Sequence, residues 1–271
     1  MPQANGPLPN FEKPPVIEVV CGILFKAINS LLVPHFGLLW EKFRDEYPTC
    51  REVPPLNPLL EQYDNAKPFQ IELSDTPPLP RIWFVHKNDT GVIQIQRDRF
   101  LHNWRKVHPE DEYPRYHKVM EMYKKQFSKF ETFLTEHELG SLEPQQYEMT
   151  YINHMYQGDG WNSTKDVGAL LPDFSFRNDP KRFLPAPESI NWRTGFALPN
   201  REGRLHATVR HGKLKETAQS VIILDLTVRG IGTDRSLEGM AAWFDLAREW
   251  IVRGFVDLTG KEAQEKVWKR L

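Results

Sequence analysis

Cysteine is scarce in this 271-residue chain: there are two, Cys21 and Cys50, and they form no CxxC pair. That excludes a disulfide framework or a cysteine-built zinc site. Both read as reduced, buried thiols of a cytosolic protein, with a disulfide between them left open. No window approaches 18 uninterrupted apolar residues, and the opening MPQANGPLPNFEKPP lacks a basic stretch followed by an apolar run. The expectation is an unexported, cytoplasmic protein without a membrane span. Excess charge is also missing. A formal net charge of −1 argues against a global electrostatic footprint for nucleic acid or an anionic membrane, so such binding would need a local patch.

Catalytic and cofactor signatures are equally sparse. The nine histidines form no HExxH or HxH, and no Cys/His cluster accompanies them, so neither a metal nor a cofactor is expected. A GxSxG elbow and GxxxxGK[ST] are both missing, and Cys21 lies in an apolar strand without an activating neighbour. The glycine motif VRGIGTDRS places Arg235 where a dinucleotide fingerprint needs its third glycine. A turn followed by a helix capped by Asp234 or Ser236 explains it.

What is present is a globular composition, with 40% hydrophobic, 26% charged and 12% aromatic residues, long enough for a sizeable core. Five prolines in residues 1–15 predict an extended arm. VIEVVCGILF, residues 16–25, reads as a strand. Pro34 opens a helix whose face is Phe36, Leu39, Trp40, Phe43 and Tyr47, and Pro48 ends it. A proline-rich stretch then carries short apolar runs at 69–74 and 81–87, read as strands. NDTG at 88–91 turns the chain into a long strand through residue 105. From Pro114, Tyr116, Met120, Tyr123, Phe127, Phe130 and Leu134 mark one stripe of a long helix, which Gly140 stops.

The second half repeats the order. A strand spans 145–155, a short helix follows Ser163 and Asp166 at capping-box spacing, and strands lie near 190–198, 203–211 and 219–229. A final helix from Ser236 buries Met240, Trp243, Phe244, Ala247, Trp250, Ile251, Phe255 and Leu258, continued by Ala263, Val267 and Leu271. The short polar connections suit antiparallel pairing and not helical crossovers. The fold expected is α+β: two similar halves, each strand, helix, three strands and helix, with an antiparallel sheet covered on one side by long helices. The boundaries are 1–15 for the arm, 16–140 for the first half and 141–271 for the second, packed as one unit. Such a duplication leaves a concave face or cleft at its pseudo-twofold axis.

PPVIEVVCGILF (14–25), HFGLLWEKF (35–43), QIQRDRFLHNWRK (94–106), EMTYINHM (148–155) and REWIVRGFVDLTGKEAQEKVW (248–268) resemble a sporadically distributed family of bacterial and archaeal proteins. The resemblance spans essentially the whole chain. It implies no activity, cofactor or catalytic residue. A patchy distribution implies accessory genes, carried by mobile elements or conflict systems, and hence a defence-associated setting. Its typical polar positions fall on Gln96, Arg97, Arg99, Asn103, Trp104, Arg105, Tyr151, Asn153 and His154. Gln264 stands where many relatives would carry histidine.

On one continuous strand, Arg97, Arg99, Asn103 and Arg105 share a face with Ile93 and Ile95, opposite Phe100, His102 and Trp104. Guanidinium groups two residues apart can converge on carboxylate or phosphate oxygens; the competing reading pairs them with carboxylates on neighbouring strands such as Glu72. Tyr151 and Asn153 share one face of the next strand, with Ile152 and His154 on the other. They could bind a polar ligand or serve as a satisfied structural network. The candidate ligand-binding set is therefore Arg97, Arg99, Asn103, Arg105, Tyr151, Asn153 and His154. The function expected is a non-catalytic binding module for an anionic small molecule or an acidic protein segment. The alternatives are an enzyme of unfamiliar type using Tyr151, His154 or an arginine in the cleft, and single-stranded nucleic-acid binding through interleaved aromatic and basic residues. A homodimer is compatible with the extended arm.

Overall fold

A computed structural model describes residues 6–63, 79–174 and 181–271. The strand expected at 69–74, and with it Glu72 as an arginine partner, lies outside the described residues. β1 (Val16–Phe25) is followed by α1 (Val33–Phe43), β2 (Thr49–Val53), β3 (Arg81–Val85), β4 (Gly91–Gln96), β5 (Arg99–Arg105) and α2 (Arg115–Glu136). β6 (Pro144–Tyr156) leads through a 3-10 turn at Thr164–Asp166 into α3 (Val167–Leu170). β7 (Asn191–Ala197), β8 (Arg204–Lys213), β9 (Ser220–Gly230) and α4 (Leu237–Leu258) follow, and a π-helical turn at Ala263–Val267 completes the order. The nine strands form one sheet, β2-β3-β4-β5-β1-β6-β9-β8-β7, and every neighbouring pair is antiparallel. Because β1 pairs with β6 at its centre, the sheet is continuous through both halves of the chain.

Local chemistry explains most of these elements. Pro34 opens α1, which buries Phe36, Leu39 and Phe43. Ser236 caps α4 by accepting the Gly239 N–H at 3.0 Å. Asp166 and Ser163 form the expected reciprocal box before α3. In β6 every second residue from Tyr147 to Met155 is buried, which is the period of a strand with one face in a core.

The long strand expected through residue 105 is instead a hairpin. β4 ends at Gln96, β5 begins at Arg99, and Gln96 faces Arg99 across a two-residue turn of Arg97 and Asp98. The turn is held from outside: the Arg97 carbonyl accepts the Ile28 N–H and the Asp98 carbonyl accepts the Phe25 N–H, both at 2.9 Å. Reversal also changes the partners on each face. Ile95 now stands opposite Phe100 and Ile93 opposite His102, so these isoleucines lie with the aromatic side of β5 and not with its arginines. Four strands follow α1 among the described residues: of the three expected, the one at 69–74 lies outside them, while the hairpin adds one and exposed β2 adds another.

One face of the sheet meets α2 and α4. Phe100 lies 5.2 Å from Phe130 and 5.6 Å from Phe127, ring centre to ring centre, and Tyr147 lies 5.4 Å from Trp243. All eight residues of the expected α4 stripe are in the core except Trp250, which is half-buried against it. Ala263 continues the stripe, but Leu271 is exposed and donates its N–H to the Asn10 carbonyl at 2.9 Å. The described part of the N-terminal arm thus docks on its own C-terminal tail: Phe11 bridges Arg270 and packs on Phe255 and Trp268. Cys21 is buried as expected, whereas Cys50 on edge strand β2 is exposed; both are free thiols.

Candidate functional site

The sheet separates the seven residues singled out from the sequence. On the face away from α2 and α4, Arg99 is 5% exposed. It makes a two-pronged contact to Asp98 at 3.0 Å for each prong and donates to the Leu56 carbonyl. Asn103 on the same face accepts from Gln94 Nε2 at 2.7 Å and donates to Glu18. Arg105 donates to the Asp89 carbonyl, and Arg97, in the turn, donates to the Leu31 carbonyl. No row of three free arginines exists, since each guanidinium has a protein acceptor. The carboxylate that meets Arg99 is the residue before it.

His154 points to that face too. Burial, and secondarily Arg210, lower its pKa. Nearby, Glu18 and Asp225 both have carboxyl pKa values raised chiefly by burial, and Asp225 also accepts from Arg210 at 2.5 Å. A segment after β2 crosses this face: Leu56 and Leu59 bond to the side chains of Gln96 and Gln146, and Glu61 pairs with Arg204 and His206.

Tyr151 and Asn153 emerge on the opposite face, toward the helices, where a pocket lies between β6, β9, the start of α2, α4 and the N-terminal arm. Its volume is about 90 Å³, well above the ~10–15 Å³ a single water needs. Asn153 is anchored by donating to the Leu224 carbonyl at 3.0 Å. The Tyr151 and Tyr113 hydroxyls are 2.9 Å apart; one proton bridges them and the other remains able to donate. Burial pushes Tyr113 up to about 12 and Tyr151 well above the usual phenol range, so both stay protonated donors near neutrality.

Two cations line the same pocket. Arg115 secures the arm by donating to the Phe11 carbonyl at 3.0 Å and to Asn10. Arg248 lies over the Tyr116 ring, 4.5 Å from its centre, while the Tyr116 hydroxyl donates to Asp245 at 2.6 Å. Arg248 itself makes no hydrogen bond or ion pair with a described residue. A half-buried guanidinium on an aromatic shelf, with spare donors in its fork, is suited to an oxyanion.

Sequence reasoning placed Tyr151 and Asn153 here but missed Tyr113, Arg115, Tyr116 and Arg248. Arg248 did carry a signal: it stands four residues after Phe244 and three before Ile251, so it is a cation on the margin of an apolar helical stripe. Gln264, at the position where histidine was expected, is fully engaged. Its amide donates to the Val256 and Thr259 carbonyls at 2.8 Å and its oxygen accepts from Arg270.

Fold and pocket together define an antiparallel α+β protein with a small, donor-rich pocket at the middle of its sheet. No family model, curated protein or solved structure matches the chain. Among the described residues no cluster of three or more metal-binding side chains occurs, and no helix is long and apolar enough to cross a membrane.

Proposed function

We propose that the protein is a non-catalytic binding module that takes a small anion, or the anionic group of a larger molecule, into the central pocket. The observation that carries this reading is Arg248: a guanidinium lining a pocket, unpaired among the described residues, beside a tyrosine pair with a proton to spare. We further propose that the halves 16–140 and 141–271 are structural duplicates. β1 and β6 would be equivalent, as would the β3-β4-β5 and β7-β8-β9 runs, with α2 and α4 covering one side of the sheet. The pocket then lies close to the pseudo-twofold axis, where ligand sites collect between packed units. The motif resemblance adds an accessory, defence-associated setting.

Calorimetric titration with inorganic phosphate tests the reading. Wild-type protein is expected to bind phosphate saturably, and Arg248→Gln to weaken binding about tenfold to a hundredfold, as loss of a charged hydrogen bond does. Arg248→Lys should recover only part, because lysine cannot present a fork. Equal affinity in wild type and a folded Arg248→Gln removes the assignment.

A further inference from the structure

A second pocket, of about 470 Å³, lies between β5, the β3–β4 turn and the first half of α2, and it shares no lining residue with the central one. His102 lines it while being only 3% exposed, and the His102 Nδ1 has no partner. A buried polar atom left without a bond is costly, so an orphan at the wall of a cavity is a mark of something absent.

The neighbours fix which chemistry it wants. Tyr47 Oη lies 3.3 Å from His102 Nε2. The Tyr47 hydroxyl has no other hydrogen-bond partner among the described residues, and a phenol O–H is a stronger donor than a neutral imidazole N–H, so the phenol proton goes to Nε2. A neutral imidazole that accepts at Nε2 carries its proton on Nδ1. His102 therefore offers an N–H, and the group it lacks is an acceptor.

Around the mouth, Glu112 and Glu121 are exposed carboxylates set against Lys118. Asp111 adds a third negative charge, although its carboxylate is already engaged by the Val107 and His108 N–H groups. Trp104, Val119 and Met122 supply apolar wall. Acceptor at the bottom, apolar in the middle and positive at the mouth describe one kind of molecule.

We propose that this pocket binds a small organic cation bearing a ring-nitrogen or carbonyl acceptor, the acceptor meeting His102 Nδ1 and the cationic end lying beside Glu112 and Glu121. The site is independent of the central pocket, so each can fail alone.

Histamine, which joins a ring nitrogen to an ammonium group, is the probe. Titrated into full-length protein at neutral pH and followed by long-range proton–nitrogen spectra of the histidine rings, it should shift the His102 Nδ1 signal saturably. n-Butylamine, which has the charge without the acceptor, should leave that signal in place. His102→Phe should weaken histamine binding about tenfold, and Glu121→Gln about twofold to fivefold. If His102→Phe does not fold, the wild-type spectrum and Glu121→Gln decide. Absence of a His102 shift at high histamine, equal binding of butylamine, or undiminished affinity in folded His102→Phe overturns the proposal.

Discussion

Phe100→Ala is expected to lower the unfolding free energy by about 3–5 kcal/mol, the range for deleting a fully buried aromatic ring. Phe100 is wholly inaccessible and lies within aromatic contact of Tyr123, Phe127 and Phe130. It joins the central sheet to α2. The chain reverses at Arg97 and Asp98, which brings Phe100 opposite Ile95 on the same face of the sheet. Urea unfolding of the purified variant measures the effect as a drop in midpoint at unchanged slope. A loss below about 1 kcal/mol, typical of a surface site, would contradict the burial of Phe100 against α2.

The second large effect is a pH dependence centred on His102. Burial pushes its pKa down to about 4 from the ordinary 6.5. The unfolded chain therefore takes up a proton in a range where the folded protein resists it. The resulting stability is complete above pH 6.5 and drains away as the pH falls toward 4, for a total of roughly 3 kcal/mol. Urea midpoints between pH 7 and pH 4 should fall steeply in wild type and less in His102→Phe. Identical slopes would show that His102 does not titrate as a buried base.

Much of the fold was legible because its signals are local. The β-branched run of β1, the four-and-three stripe of α2 and the Ser236 cap each declare an element within a few residues. Where the reading failed, the cause is tertiary. Arg97 and Asp98 form a turn without the Asn or Gly that short hairpins favour, and they do so because Phe25 at the end of β1 and Ile28 just beyond it supply donors for the two carbonyls. β2, with the sequence TCREV, is an exposed edge strand whose residues show no apolar alternation. Its pairing with β3 is visible only in three dimensions.

The candidate site divides along the same line. Alternation placed Tyr151 and Asn153 together, and the structure keeps them so, on the wall of the pocket. It could not show that Arg99 takes Asp98 as its partner, nor that Tyr113 and Arg248, 135 positions apart in the numbering, line one cavity. Charged side chains advertise themselves in a sequence, but whether their charge is already answered does not. The arginines of the hairpin are answered by carbonyls and a carboxylate; the one in α4 has no such partner among the described residues.

The most direct test of that distinction is anomalous diffraction from crystals soaked in selenate, a tetrahedral anion whose position can be seen without assumption. The account predicts a selenium peak within hydrogen-bonding reach of the Arg248 guanidinium and the Tyr113–Tyr151 pair, and its loss in Arg248→Gln crystals. A peak at the hairpin arginines with none at Arg248, or an empty central pocket at full soaking concentration, would contradict it.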